Sequence, residues 1–246
     1  MQRFEVEMIF EAEKEFLIRE CLPSSTPVAI LLGGQPASGK SNLAFIAKEE
    51  HENETFLIIN GDEYRIYHPQ HDKLIKDVAH FSEKTQIFSN VFTENLIEEA
   101  VKHRFSVIVK GTMRNPDVPL KTAEMFKEAG YRVEAFIIAA PEQFTREGLH
   151  IRYQQELQNK GFGRLADVRS HDEAVEGLLK SINLLFDKKG VDKISIHTFL
   201  AREKVKEYLL INDEWDCNLV PGNVIETARN KQLTSSTSVQ SVSSVC

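Results

Sequence analysis

Apolar positions along the chain switch between two periods. Val28–Gly33 is a continuous apolar run, the pattern of a strand buried on both faces. Thr55–Asn60, Phe105–Val109, Arg132–Ala140 and Lys193–Phe199 read as four more strands. Between them the spacing lengthens to that of a helix. Lys40–His51 is one such stretch, and a longer one is capped by Ser82 and runs to about Arg104, with Phe88, Phe92, Leu96 and Ala100 in step. Asp117 caps the next, with Pro119 in its first turn and Gly130 at its end. Pro141–Lys160 is polar and helical until Gly161-Phe162-Gly163 breaks it, and Asp172–Lys188 is helical again. The first 22 residues form an amphipathic helix, with Phe4, Met8, Phe10, Phe16 and Leu17 between glutamates, and Leu22–Pro27 breaks it. Strands alternating with helices predict an α/β fold: a mostly parallel β-sheet with helices on both faces.

This pattern divides the chain into a helix and linker over 1–26, a main domain over 27–212, an extension over 213–233 and a Ser-rich tail over 234–246 that reads as disordered. Length alone allows one domain or two, at about 150 residues each. The net charge of −7 argues against a general polyanion-binding surface, so no nucleic-acid partner is expected. No apolar run approaches the roughly 18 residues of a membrane span, and glutamates crowd the N-terminus where a secretory signal would be basic and then apolar. Cys21, Cys217 and Cys246 are widely spaced and odd in number, which suits a reducing cytoplasm better than a disulfide framework.

The sharpest chemical signal is Gly34-Gln35-Pro36-Ala37-Ser38-Gly39-Lys40-Ser41, which fits G-x-x-x-x-G-K-[ST] between a predicted strand and a predicted helix. Such a loop converges backbone amides on a phosphate, and the helix that follows adds a favourable dipole. Lys40 would reach the terminal phosphates of ATP, and the Ser41 hydroxyl would bind Mg²⁺. No Asn-Lys-x-Asp base-reading motif is present, and there is no long second half to form a motor. A small-molecule kinase then needs an acceptor site, a base for the acceptor hydroxyl, and arginines that close over the phosphates. Asp62 lies just past the end of the second strand, on the side where parallel sheets bind ligands. It is a candidate base, although Gly61-Asp62 is also ordinary turn chemistry.

Together these residues resemble the zeta-toxin family of P-loop kinases. The resemblance runs over about 27–190. It is carried by Pro27–Ser41, Asn60–Pro69, Ser89-Asn90 with Glu94, Gly111–Thr122, Gly130-Tyr131, Arg152-Tyr153, Arg164 and His171-Asp172. It implies an ATP-dependent kinase of a nucleotide-sugar, UDP-N-acetylglucosamine, and an antitoxin protein as partner. It also implies roles for residues: Lys40 and Ser41 on the ATP phosphates and Mg²⁺, and Asp62 as base. Glu94, Thr112 and Thr122 would hold the UDP-sugar, with Asn90 and Arg114 nearby, and Arg152 and Arg164 would clamp the transferring phosphoryl group. Composition agrees in part. Asn90 and Glu94 share one stripe of a helix, and residues 143–169 carry five basic residues against three acidic ones. Thr122 and the arginines also read as ordinary helix-surface residues, and His171 and Asp172 as helix-start or scaffold residues.

Two positions depart from the family pattern. Ala37 stands where glycine is common. Lys110 ends the third strand where the family usually carries a glutamate that would help hold Mg²⁺. A protonated lysine is no metal ligand. Lys110 could bind phosphate, pair with Asp62 or Glu94, or mark a protein that binds nucleotide with little turnover. The alternatives to a UDP-sugar kinase are therefore a kinase of another nucleotide or dinucleotide and a catalytically impaired ATP-binding or interaction protein.

Overall fold

The computed structural model describes residues 1–78, 80–160 and 168–243. Helix α1 (Arg3–Ile18) leads to β1 (Val28–Gly33), α2 (Lys40–Glu49) and β2 (Phe56–Asn60). Short helices α3 (His71–Leu74) and α4 (Phe81–Lys84) precede α5 (Gln86–His103) and β3 (Ser106–Lys110). Then come α6 (Asp117–Glu128), β4 (Arg132–Ala139), α7 (Glu142–Lys160) and α8 (Val168–Asp187). Strands β5 (Lys193–Thr198), β6 (Lys204–Ile211) and β7 (Glu214–Trp215) and helix α9 (Pro221–Ser243) follow.

The strands make one sheet in the order β2-β3-β1-β4-β5-β6-β7, parallel through β5 and antiparallel beyond it. Alternate residues of β1 serve two cores, as a strand's period of two requires. Ala29 and Leu31 enter the larger core with residues of α1, α5, α6, α8 and α9, while Ile30 and Leu32 pack under α2. The expected α/β fold with helices on both faces is present, and the five expected strands fall within a residue or two of their predicted ends. Among the described residues, no helix is long and apolar enough to cross a membrane.

Several local expectations are corrected. The helix expected from Ser82 is two helices, because the chain turns at Thr85, whose Oγ1 donates to the Phe81 carbonyl (2.6 Å) and accepts from Arg65 Nη1 (3.0 Å). Asp117 is the first residue of α6 rather than its cap; its N–H donates to Asn115 Oδ1 (3.1 Å). Helix α8 begins at Val168, so Asp172 lies inside it and pairs with Arg146 (2.8 Å) instead of capping. Val6 and Phe10 carry the buried face of α1, with Phe10 edge-on to Phe92 at 5.3 Å, while Phe4, Met8 and Phe16 stay exposed. Strands β6 and β7 went unforeseen because charges interrupt their apolar pattern at the half-exposed sheet edge. They pair across residue 212, so the sheet continues through the boundary expected there. Helix α9 runs through Thr234 to Ser243, where a disordered tail was expected.

Candidate phosphate-binding site

In the sheet β1 lies between β3 and β4; the crossover from β1 runs to β2 and the one from β3 runs past β1 to β4, in opposite directions, which opens a crevice at the carboxyl ends of β1 and β3. The loop Gly34–Ser41 springs from β1 into that crevice. Gly39 has φ +101°, and a Cβ there would sit 2.6 Å from Leu200 Cα, so this turn needs glycine. Ala37 also takes a left-handed φ, +63°, a conformation that costs an L-residue about 1–2 kcal/mol. The loop is held from behind. Leu200 N–H donates to the Ser38 carbonyl (3.0 Å), and Asn42 Nδ2 donates to the Leu200 carbonyl (3.0 Å). Gln35 is fully buried and points away from the crevice: its Nε2 donates to the Ala140 carbonyl (2.8 Å) and Thr145 Oγ1 (3.3 Å), and its Oε1 accepts from Arg229 (3.5 Å). It anchors the loop. Pro36 is half-buried. Ser38 is buried beside Gly34, with no hydrogen-bond partner for its Oγ among the described residues. Ser41 is exposed in the first turn of α2.

Lys40 Nζ donates to the carbonyls of Gly34 (2.6 Å) and Gln35 (3.0 Å). Burial pushes its ammonium down to about 8; Asp62 opposes the shift, while Arg152 and Lys110 add to it. Those influences put the lysine, the candidate base, one of the two candidate clamp arginines and the unexpected Lys110 in one electrostatic neighbourhood. Asp62 accepts from Arg65 Nε (3.1 Å), and Arg65 is buried against the Ser82 carbonyl (2.8 Å), Thr85 Oγ1 and Gln86 Oε1 (3.0 Å). Arg152 pairs with Glu156 one turn along α7 (2.9 Å). Thr112 follows β3 after Gly111, whose N–H still bonds β1 through the Leu32 carbonyl (3.1 Å). Ser181 Oγ donates to the Met113 carbonyl (2.6 Å), and Gly177 lets the Arg114 backbone pass over α8, where any Cβ would collide with the Arg114 carbonyl.

The remaining candidates are engaged locally. Glu94 is exposed on α5 and pairs with Arg3 (2.8 Å); Asn90 Oδ1 accepts from Gln86 (2.7 Å). Arg114 donates to Ser170 Oγ (3.2 Å) and pairs with Glu173 (3.4 Å). Thr122 Oγ1 donates to the Val118 carbonyl of its own helix (2.8 Å). Arg164 and the Gly161–Gly163 break lie outside the described residues.

The model of the zeta toxin family matches residues 13–214. The chain belongs to the zeta toxin family. Toxin PezT of Streptococcus pneumoniae serotype 4 is 31% identical over 176 residues, which are 71% of this chain and 69% of that protein. Toxin zeta of Enterococcus hirae is 28% identical over 213 residues, 85% of this chain and 71% of that one. The fold is shared with a chain from the structure of the PezAT chromosomal toxin–antitoxin system of Streptococcus pneumoniae, with a TM-score of 0.76 at 24% identity, covering 93% of this chain and 88% of that one. It is also shared, at TM-score 0.55 and 14% identity over 92% and 68% of the chains, with the structure of AvrRxo1-ORF1 with AvrRxo1-ORF2 and ATP.

In this zeta toxin family member, sequence reasoning missed the supports behind the crevice. Arg65 was within reach, since it lies three residues past Asp62 in the same run. Thr145 and Arg229 were not; His171, read as a helix-start or scaffold residue, is one of these supports. His171 is fully buried between Thr145 Oγ1 (2.8 Å) and Asp172 Oδ1 (3.0 Å), so a chain of contacts runs from Gln35 through Thr145 and His171 to Asp172 and Arg146. Arg229 arrives from α9, 194 residues away from Gln35 in sequence.

Proposed function

We propose that this chain is an ATP-dependent kinase that transfers the γ-phosphoryl group to a sugar hydroxyl of UDP-N-acetylglucosamine or a similar nucleotide-sugar. What supports the reading is the glycine-turned loop Gly34–Ser41 at the carboxyl end of β1, with Lys40 within electrostatic reach of Asp62 and Arg152. The acceptor oxygen attacks the γ-phosphorus, the bond to the β,γ-bridging oxygen breaks, the hydroxyl proton passes to the Asp62 carboxylate, and ADP leaves. Lys40 would exchange its two carbonyl contacts for phosphate oxygens, and Arg152 would neutralise charge on the transferring group. Arg65 positions Asp62. Thr112 stands on the ligand side of the sheet, and Glu94, Asn90, Arg114 and Thr122 would have to release their present partners to meet a sugar-nucleotide.

Mg²⁺ bound with the nucleotide would neutralise phosphate charge. The Ser41 hydroxyl in the first turn of α2 would be a protein ligand to it, with phosphate oxygens and waters supplying the others; among the described residues no group of three or more His, Cys, Asp or Glu could hold a metal ion by itself. Membership in the zeta toxin family and the fold shared with a toxin–antitoxin structure support an antitoxin partner for this chain. An ATP-dependent reaction goes with a cytoplasmic setting.

The test is to incubate the full chain with Mg-ATP and UDP-N-acetylglucosamine and to look for a phosphorylated sugar-nucleotide by mass spectrometry, with Asp62→Asn as control. Product from the parent and none from the control is expected. ADP release confined to another compound in a panel of nucleotides would move the acceptor. Lys110 favours a second reading, an ATP-binding protein with impaired turnover. That reading predicts no ADP release by the parent and Mg²⁺-dependent release by Lys110→Glu.

A further inference from the structure

Strand alternation fixes the face on which Lys110 stands. Val107 and Val109 of β3 pack in the larger core and Ile108 packs under α2, so the next even position, Lys110, lies on the α2 side. Its register neighbours are Leu32 of β1 and Asn60 of β2. One residue past Gly33 the phosphate loop starts from β1, so Lys110 and Lys40 border the same crevice. Lys110 is near enough to depress the Lys40 ammonium.

One carboxylate, Asp62, acts on Lys40 against the positive charges of Arg152 and Lys110. Among the described residues, Lys110 Nζ has no hydrogen-bond or ion-pair partner, and Lys40 has only carbonyls. Asp62, the carboxylate in reach of Lys40, already accepts from Arg65. Arg152 has Glu156. A pair of lysines in a concave, partly desolvated site is an arrangement that a polyanion completes.

We propose that Lys110 is a direct ligand of the nucleotide polyphosphate and takes over part of the charge neutralisation that a divalent cation supplies in other phosphate sites. Nucleotide binding by this chain then depends only weakly on Mg²⁺. The inference rests on the nucleotide reading of the site, and it concerns binding, whatever the acceptor.

The experiment is calorimetric titration of the full chain with ATP, once in EDTA and once in excess MgCl₂. The proteins compared are the parent, Lys110→Met, Lys110→Gln and Lys110→Glu, each checked for folding by thermal melting. The parent is expected to bind in both buffers with affinities within about threefold. Both neutral variants should lose about tenfold or more for metal-free ATP and less for Mg-ATP, and Lys110→Glu should bind only with Mg²⁺. The proposal is overturned if the parent binds ATP only with Mg²⁺, or if the neutral variants keep metal-free affinity within about twofold of the parent. A folded parent that binds ATP in neither buffer overturns the nucleotide reading itself, a result distinct from the other two.

Discussion

Two clusters of charge lie at opposite ends of α2. At its start, Lys40 and Lys110 face a crevice in which Asp62 is already engaged. Past its end, Glu50 and His51 join Glu134, Arg132, Lys193, Lys204 and Glu207, and every member has a partner. Lys193 bonds Glu50 and pairs with Glu134 (3.6 Å) and Glu207 (3.6 Å); Lys204 pairs with Glu50 (2.9 Å) and Glu207 (2.8 Å). Glu134 also accepts from His51 (3.0 Å) and Arg132 (2.6 Å). The difference teaches how to tell a scaffold from a site. Charges that close on one another tie the end of α2 to β4, β5 and β6, whereas charges not so closed mark a candidate site.

The sharpest way to break this comparison is Lys40→Met. It should lower the kcat/KM of the proposed kinase by about 10³-fold or more, read as ADP release, with little change in melting temperature. Glu134→Gln should do the opposite. It strips the buried partner of Lys193, Arg132 and His51, and the expected cost is about 3–5 kcal/mol by urea unfolding, with the ATP Kd unchanged. An equal loss of nucleotide affinity in both variants would dissolve the distinction between the two clusters.

Acid should find the scaffold cluster as well. Burial raises the Glu134 carboxyl, but hydrogen bonds from His51 and Arg132 and the charge of Lys193 outweigh it and hold the group down at about 2. Its contribution is present above the unfolded value of 4.5 and is lost as pH falls from there towards 2. His197, stacked on Phe136, is pushed down to about 4 by burial and by Lys204. An unfolded chain takes up that proton below 6.5 while the folded one does not, so stability falls between pH 6.5 and 4. Unfolding free energies from urea titration should therefore decline from pH 6.5 downward, by on the order of 2–3 kcal/mol for His197, and His197→Phe should flatten the upper part of the decline. The smallest expected effect belongs to the loop: Ala37→Gly relieves a left-handed alanine and should raise stability by about 0.5–1 kcal/mol, leaving the ATP Kd within about twofold.

Residues that act through backbone geometry were the readable ones. A strand, a glycine turn and a helix start are local, so Gly34–Ser41 and the carboxyl-end position of Asp62 could be read from a few neighbouring residues. The parallel strands were readable for the same reason, their apolar runs being continuous. What failed to show depends on partners far away in the chain. Gln35 looked like a loop residue facing phosphate, and it is a buried anchor because Ala140, Thr145 and Arg229 surround it. Glu94 looked free on its helix, and it is tied to Arg3 because α1 packs along α5. Strands β6 and β7 carry an edge pattern, half charged, that resembles a loop until the sheet beside them is in place.

The contact between Gln35 and Arg229 has a consequence for how the protein is made. Synthesis is vectorial, and the loop Gly34–Ser41 emerges before α9. Its floor needs Arg229 against Gln35, and Gln232, whose side chain donates to the Ala139 carbonyl (2.7 Å) and accepts from Phe199 N–H (2.9 Å). A nascent chain that has not yet delivered α9 holds the loop's sequence without its foundation. In this member of a toxin family, the loop Gly34–Ser41 thus gains its floor only after α9 has been made.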